Sequence, residues 1–178
     1  SVKEVVMMGR YPHFKSNPAP VDHTIVQSAL RQAGIEDFAD RNYLELSGGE
    51  QQRVHLARVF AQIWCSDKYA TRYLLMDEPG NNLDISHQHN ALAMAKRFAA
   101  EGNCVIAILH DLNLAFQYAD KVLLLRKGNM QAFGTPTEVL TEENLSYSYD
   151  FPMTIHYSES FEYPIILPAV TKEVLQFK

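Results

Sequence analysis

The sequence lacks a lysine after any of its eight glycines. This absence excludes the phosphate loop G-x-x-x-x-G-K-[ST], which supplies most of the phosphate affinity in many nucleotide-hydrolysing proteins. No apolar run reaches the roughly 20 residues that a membrane-spanning helix requires. A net charge of −5 gives no basic surplus for nucleic acid. The two cysteines, Cys65 and Cys104, lie in apolar segments without metal-ligand spacing, so we expect reduced, buried thiols.

The remaining composition is that of an ordinary globular chain. Its 178 residues are 47% hydrophobic and 21% charged, which favours one domain, or one domain with a small subdomain. The chain begins at Ser1, without an initiator methionine and without the cationic and apolar stretches of a signal peptide. We therefore expect it to be the remainder of a longer protein.

The first third of the sequence shows helical spacing of apolar residues. A short helix is expected at the very start, followed by a second helix that Asp22 caps and Gly34 ends. Residues 50–64 are apolar on nearly every side, which predicts a buried helix. These patterns predict a helical subdomain over residues 1–46 that continues into a helix over residues 47–64.

The middle of the sequence alternates short apolar runs with helical patterns. Tyr73–Met76 predicts a buried parallel strand that ends in Asp77-Glu78-Pro79, and Cys104–Leu109 predicts a second strand that ends at His110. This alternation predicts an α/β fold with a mainly parallel sheet over residues 65–146. An edge hairpin is expected around Gly128. Residues 147–178 contain strand-like patches, but their topology cannot be read from the sequence.

Several residues at the ends of these elements could carry chemistry. Ser47-Gly48-Gly49 stands where a helix should begin, and such a start binds anions through free backbone amides. Because ligands bind at the carboxyl ends of parallel strands, Asp77 could hold Mg²⁺, Glu78 could accept a proton from water, and His110 could stabilise charge on a phosphate.

Each of these features also has a simpler explanation. The glycine turn could be a flexible connection, and the acid pair could be a solvated turn. His110 could simply precede a helix that Asp111 caps. The order and spacing of the three features together favour the chemical interpretation.

Four segments in this order resemble the motifs of ABC-type ATPases, and the chain is identified as a member of that family over residues 2–141. The segments are Ser47–Arg53, similar to the signature motif; Leu74–Pro79, similar to the Walker B strand; Asn81–Asp84, similar to the D-loop; and His110, which matches the switch histidine. The resemblance implies the C-terminal part of the ABC ATPase fold.

The resemblance also implies how the site works. Two ATPase domains of this family face head to tail, so the signature turn would contact ATP held by the partner subunit. The cofactors implied are ATP and Mg²⁺. The implied site residues are Ser47, Gly48, Gly49 and Glu50 for the partner's ATP, Asp84 for the dimer contact, Asp77 for Mg²⁺, Glu78 as general base and His110 as γ-phosphate sensor.

A shorter match points to a subfamily. Val5–His13 resembles a segment of ATPases that serve importers of haem, ferric siderophores or vitamin B12, and haem is the first choice. This implies a peripheral protein at the cytoplasmic face of the inner membrane, with no nucleic acid as partner. The helical subdomain would contact the membrane permease, and a periplasmic substrate-binding protein would take part indirectly.

The chain also departs from the family pattern. The phosphate loop and the glutamine loop are absent, and Gly80, Asn81 and Asn82 replace the usual Thr, Ser and Ala around the D-loop. Two hypotheses follow: the chain is part of an ATP-hydrolysing importer subunit and is inactive alone, or it is a non-enzymatic truncated domain that binds or regulates an intact subunit. An ABC ATPase of DNA repair or translation lacks support, because neither a coiled-coil insertion nor an interdomain basic linker is present.

Overall fold

The computed structural model describes residues 1–64, 71–79 and 84–169. Cys65 and the D-loop positions Gly80, Asn81 and Asn82 therefore lie outside the described residues. The chain divides into two compact units, Ser1–Ile108 and Leu109–Lys178. The α/β class expected from the sequence is confirmed. Within the described ranges, no helix is long and apolar enough to cross a bilayer.

The described elements follow one another along the chain with short connections. The α-helices are α1 (Val2–Met7), α2 (Pro20–Gln32), α3 (Gly48–Ile63), α4 (Ile85–Ala100), α5 (Leu112–Tyr118), α6 (Pro136–Val139) and α7 (Glu142–Tyr149). The strands are β1 (Tyr73–Asp77), β2 (Cys104–Ile108), β3 (Val122–Arg126), β4 (Asn129–Gly134), β5 (Met153–His156) and β6 (Ile165–Pro168). Short 3₁₀ helices span Met8–His13, Glu36–Phe38 and Tyr43–Glu45.

The N-terminal helices share one apolar core in the first unit. Most of its buried members come from α1, α2 and α3, including Val2, Val6, Val26, Ala29, Leu30, Val54 and Ala57. The expectation that Asp22 caps α2 is wrong in position, since Ala19 is the N-cap and Pro20 begins the helix. A proline is favoured at the first helical position because its φ is already helical. Asp22 lies one turn into the helix, where its carboxylate accepts a hydrogen bond from the Ala19 amide at 2.8 Å.

Helix α3 is less buried than the sequence predicts. Its buried residues are Val54, Ala57, Phe60 and Ala61, whereas His55 and Gln62 are exposed. Val54, Ala57 and Ala61 belong to the helical core, and Phe60 belongs to the cluster that includes β1. The helix therefore contacts two cores on separate stripes, and the residues between the stripes reach solvent.

Strands β1 and β2 pair in parallel, as predicted, with Leu75 opposite Ile106 and Asp77 opposite Ile108. One face of the pair packs into a cluster formed by Phe60, Leu74, Met76, Met94, Ala95 and Phe98. The predicted burial holds only for this face. On the other face Leu75 is 74% exposed and Ile106 is 59% exposed. Within the described residues, this second face is uncovered.

The second unit contains the other four strands as two antiparallel pairs. Strands β3 and β4 form the expected hairpin, and its turn residues Lys127 and Gly128 have φ values of 49° and 78°. Strands β5 and β6 pair within the segment that could not be read from sequence. The core of this unit combines these strands with α6 and α7 through Leu124, Val139, Leu140, Leu145 and Ile166.

Candidate functional site

Ser47 begins α3 through a reciprocal cap with Glu50. The backbone amide and the hydroxyl of Ser47 both donate to Glu50 Oε2, each at 2.7 Å, and the Glu50 amide lies 3.4 Å from Ser47 Oγ. Such a capping box satisfies donors that a helix start otherwise leaves open. The serine and the glutamate of the signature turn therefore stabilise the start of α3 through bonds within the chain itself.

Gly48 and Gly49 are the first two residues of the helix, where backbone amides have no intrahelical acceptor. A Cβ atom built on Gly48 would meet no heavy atom within 4 Å, and the φ of Gly48 lies outside the left-handed region. Neither the packing nor the conformation of this chain therefore requires glycine at this position. The open space leaves room for an anionic group to approach the amides directly.

The charges around the turn are balanced rather than uniformly positive. The carboxylate of Glu50 lies 3.8 Å from the guanidinium of Arg41. Hydrogen bonds from the Ser47 hydroxyl and amide lower the pKa of Glu50, with smaller contributions from Arg41 and Arg53. Glu50 is thus ionised at neutral pH, and the two arginines offset its repulsion of an incoming anion. The positive end of the helix dipole adds to the attraction.

Asp77 and Glu78 stand at the carboxyl end of β1. Asp77 is exposed and shares the uncovered face with Tyr73 and Leu75, since alternate residues of a strand point to one side. The Glu78 amide donates to the Ile108 carbonyl oxygen at 3.1 Å, so the backbone contact with β2 extends one residue past the strand. Glu78 has a φ of 47°.

A left-handed backbone in a residue other than glycine costs on the order of 1–3 kcal/mol and concentrates at functional sites. The conformation at Glu78 is a feature that the sequence did not reveal. It ends the extended course of β1.

The signature turn and the acid pair lie at separate places in the first unit. Phe60, near the end of α3, packs with Leu74 and Met76 of β1. Ser47 precedes Phe60 by thirteen residues, which corresponds to about 20 Å along a helix. The turn therefore lies about four helical turns along α3 from Phe60.

Asp84 and His110 each stand beside a helix start. The Asp84 carboxylate caps α4, accepting from the His87 amide at 2.9 Å and lying 2.7 Å from His87 Nδ1. The hydrogen bond from the His87 amide is the main cause that lowers the pKa of Asp84. The sequence did not identify this cap, although Asp before an apolar helix is a recognised signal. His110 is exposed and precedes Asp111, which caps α5 as expected.

The described residues offer single carboxylates for a metal ion and no cluster of ligands. Among residues 1–64, 71–79 and 84–169, no three or more His, Cys, Asp or Glu side chains gather into a group that could hold a metal ion. Asp77 offers one exposed carboxylate, and Mg²⁺ is commonly bound by one or two carboxylates together with phosphate oxygens and water. Asp77 therefore fits Mg²⁺ that arrives with a nucleotide better than a resident metal.

Comparison with known proteins agrees with the motifs. Residues 3–81 match the family model described as ABC transporter. The chain belongs to this family, as an ATP-binding domain homologous to hemin import ATP-binding proteins. It is 44% identical over 175 residues to the hemin import ATP-binding protein HmuV of Gloeobacter violaceus, covering 98% of this chain and 64% of the relative.

Two further matches are similar in extent. HmuV of Pseudomonas putida is 46% identical over 166 residues, covering 93% of this chain and 64% of the relative. A solved chain described as a metal-chelate type ABC transporter in an inward-facing conformation has a TM-score of 0.79 and 29% identity, covering 98% of this chain and 68% of that chain. The chain thus spans 64% of the length of both HmuV proteins. The family predicted from the four motifs is confirmed.

Proposed function

We propose that this chain is part of the ATP-hydrolysing subunit of an ABC importer for haem or a related iron chelate. The observation that carries the proposal is the start of α3, where Gly48 and Gly49 are the first two helical residues and a Cβ atom on Gly48 would meet no heavy atom within 4 Å. The identity to hemin import ATP-binding proteins supports the choice of haem. The metal-chelate transporter chain of similar fold supports the wider class of substrate.

The signature turn in this proposal serves a nucleotide held by a second subunit. The separation of about 20 Å along α3 between Ser47 and Phe60, which packs with β1, supports this arrangement. Ser47, Gly48 and Gly49 bind the terminal phosphate, and Glu50 accepts a hydrogen bond from the serine hydroxyl until the phosphate replaces it. Asp84 contributes to the contact between the two subunits.

The other half of the site lies at the carboxyl end of β1. Asp77 holds Mg²⁺ through its exposed carboxylate, and Glu78 accepts the proton of the attacking water. By the family resemblance, His110 of the second unit is proposed separately as the γ-phosphate sensor. Mg²⁺ supplies neutralisation of phosphate charge when it is bound. The left-handed backbone at Glu78 supports a functional role for this position, because such a conformation in a residue other than glycine concentrates at functional sites.

A lysine-bearing phosphate loop is expected on sequence outside this chain. Among the described residues the apolar face of β1 and β2 is uncovered, with Leu75 and Ile106 exposed, and this supports a further segment that covers it. We therefore infer that the chain alone neither binds nor hydrolyses ATP. The complete subunit works as a homodimer at the cytoplasmic face of the inner membrane, with the helical region of residues 1–46 against the permease and a periplasmic binding protein as indirect partner.

Substitution of the proposed base tests this function. In the complete subunit, Glu78→Gln should lower the rate of ATP hydrolysis by a factor of about 10²–10⁴, the usual contribution of a general base. ATP binding, measured by calorimetry, should persist because the amide keeps the shape of the side chain. Unchanged turnover would reject Glu78 as the base.

The non-enzymatic alternative predicts a different result. A truncated domain that only regulates an intact subunit would alter the ATPase rate of that subunit when added to it, and its own Glu78→Gln variant would act equally well. Tight binding of ATP to the chain alone would contradict both hypotheses, since both deny it a complete nucleotide site.

A further inference from the structure

The end of α3 has an unusually complete set of side-chain partners. A helix leaves its last four carbonyl groups without intrahelical donors. Here the carbonyl oxygens of Ala61 and Trp64 accept from Arg10 Nη1 at 2.8 and 2.5 Å. The Gln62 carbonyl oxygen accepts from His13 Nε2 at 2.7 Å. The Ile63 carbonyl oxygen accepts from Arg72 Nη1 at 2.8 Å.

Arg10 connects this helix end to the helical region. Its Nε donates to Asp22 Oδ1 at 2.9 Å, and both side chains are at least 95% buried. The other carboxylate oxygen of Asp22 accepts a hydrogen bond from the backbone amide of Ala19, the N-cap residue of α2. One buried arginine thus joins the end of α3 to the start of α2 through ionic and hydrogen bonds.

Arg72 connects the same helix end to the β1–β2 sheet. It directly precedes β1, and its Nε donates to Asn103 Oδ1 at 3.0 Å. Asn103 in turn donates to the Phe98 carbonyl oxygen at 2.8 Å, and the Arg72 guanidinium lies 5.1 Å from the centre of the Phe98 ring. Arg72 therefore bonds to α3, to the connection that precedes β2, and to α4.

We propose that these contacts form a joint at the end of α3, and that Arg10 and Arg72 are positioning residues for the proposed ATPase. The proposal rests on the proposed function. From this joint α3 extends to the signature turn, and β1 extends from Arg72 to Asp77 and Glu78. Arg72 fixes the end of α3 relative to β1 and α4, and Arg10 fixes the same helix end relative to α2. Together they hold the direction in which α3 leaves the joint, and thereby the position of the signature turn relative to Asp77 and Glu78.

The length of α3 explains why the joint matters. Sixteen residues span about 24 Å, so a rotation of about 5° at the joint moves Ser47 by about 2 Å. A misplacement of about 1 Å in a reacting geometry can lower a rate by about 10²-fold. Removing the bonds of either arginine should therefore lower kcat far more than it lowers the affinity for ATP, because the residues that hold the nucleotide are not substituted.

The test compares arginine variants in the complete subunit. Arg72→Gln should lower kcat at least 10-fold while the KM for ATP changes less than about 3-fold. Arg10→Lys should behave similarly, since lysine cannot bond Asp22 and two carbonyl groups in the geometry of a guanidinium. Arg31→Gln is the matched control, because Arg31 forms only an exposed pair with Glu36, and its kcat should remain unchanged.

A second readout does not depend on ATP hydrolysis. Spin labels at Leu44, which is 80% exposed beside the signature turn, and at Ala100, which is exposed at the end of α4, report the angle at the joint. Rotations of about 5° in either direction move the turn by about 2 Å each way, so Arg72→Gln and Arg10→Lys should widen the distribution of label distances by about 4 Å. Arg31→Gln should leave the distribution unchanged. Unchanged distributions in both joint variants would overturn the proposal, as would a widened distribution with normal kcat. If the wild-type subunit hydrolyses no ATP, the proposed function fails, and the distances still decide whether the joint exists.

Discussion

Replacing Gly9 by alanine tests how closely the first 3₁₀ helix must approach α3. A Cβ atom at Gly9 would overlap the carbonyl oxygen of Arg58 and lie 3.2 Å from the amide nitrogen of Gln62. Arg58 and Gln62 are four residues apart in α3, so the methyl group would press on a hydrogen-bonded turn of the helix backbone. Neither group can rotate away, and the segment Met8–His13 must move outward instead.

The expected loss of stability follows from this displacement. Overpacking costs about 1–3 kcal/mol. Outward movement also weakens the bonds of Arg10 and His13 to the carbonyl groups of α3, each worth about 1 kcal/mol or more. We expect Gly9→Ala to lower the free energy of unfolding by about 3 kcal/mol, which corresponds to about 6–12 °C in Tm for a chain of this size.

The assay is urea unfolding followed by the fluorescence of Trp64, the only tryptophan in the sequence and a direct neighbour of this contact. Gly48→Ala is the matched control, because alanine there meets open space. This substitution should leave the free energy of unfolding within about 0.5 kcal/mol of the wild type, or raise it. Equal midpoints for Gly9→Ala and the wild type would refute the close approach.

Three further results are expected. Gly48→Ala should abolish ATP-driven dimerisation of the complete subunit, measured by light scattering, because the methyl group occupies the approach to the helix amides; dimers that form normally would contradict the anion site. Burial raises the pKa of Asp22, but the hydrogen bonds from the Ala19 amide and Arg10 more than offset this effect, so that the pKa is lowered on folding. The ionised carboxylate therefore contributes stability above its unfolded pKa of about 4, and this contribution is lost as the pH falls from there through the lower pKa of the folded state. Asp22→Asn should accordingly be much less stable than the wild type at pH 7, with the difference shrinking below pH 4 in urea titrations, and a constant difference would be inconsistent with this pair. Leu75→Lys with Ile106→Glu should reduce self-association of the isolated chain in sedimentation velocity without lowering its Tm, since both side chains are exposed; unchanged association would show that another surface is responsible.

Local patterns in the sequence predicted the local structure well. The serine and glutamate around Gly48 and Gly49 satisfy each other as a capping box, and Asp111 caps α5 as the pattern before an apolar run indicates. The hairpin around Gly128 and the parallel pairing of β1 with β2 also formed as expected. These features depend on residues within a few positions of one another, or on the general preference for right-handed crossover connections.

Features that depend on distant contacts could not be read in this way. The segment Val5–His13 suggested a subfamily, yet its physical role emerged only from bonds between residues 51 and 54 positions apart, which join Arg10 to Ala61 and Trp64. The exposure of Leu75 was also unexpected, since an apolar strand reads as buried on both faces whether or not a second layer is present.

The reciprocal cap at Ser47 has a consequence for the resting state of the protein. A helix start that bonds its own serine to its own glutamate is self-sufficient, and it needs no nucleotide to remain folded. An arriving phosphate must compete with Glu50 for the Ser47 hydroxyl, so engagement exchanges one bond for another instead of adding a new one. Such an exchange keeps the contact reversible, and in the proposed function this suits a surface that is released after each round of hydrolysis.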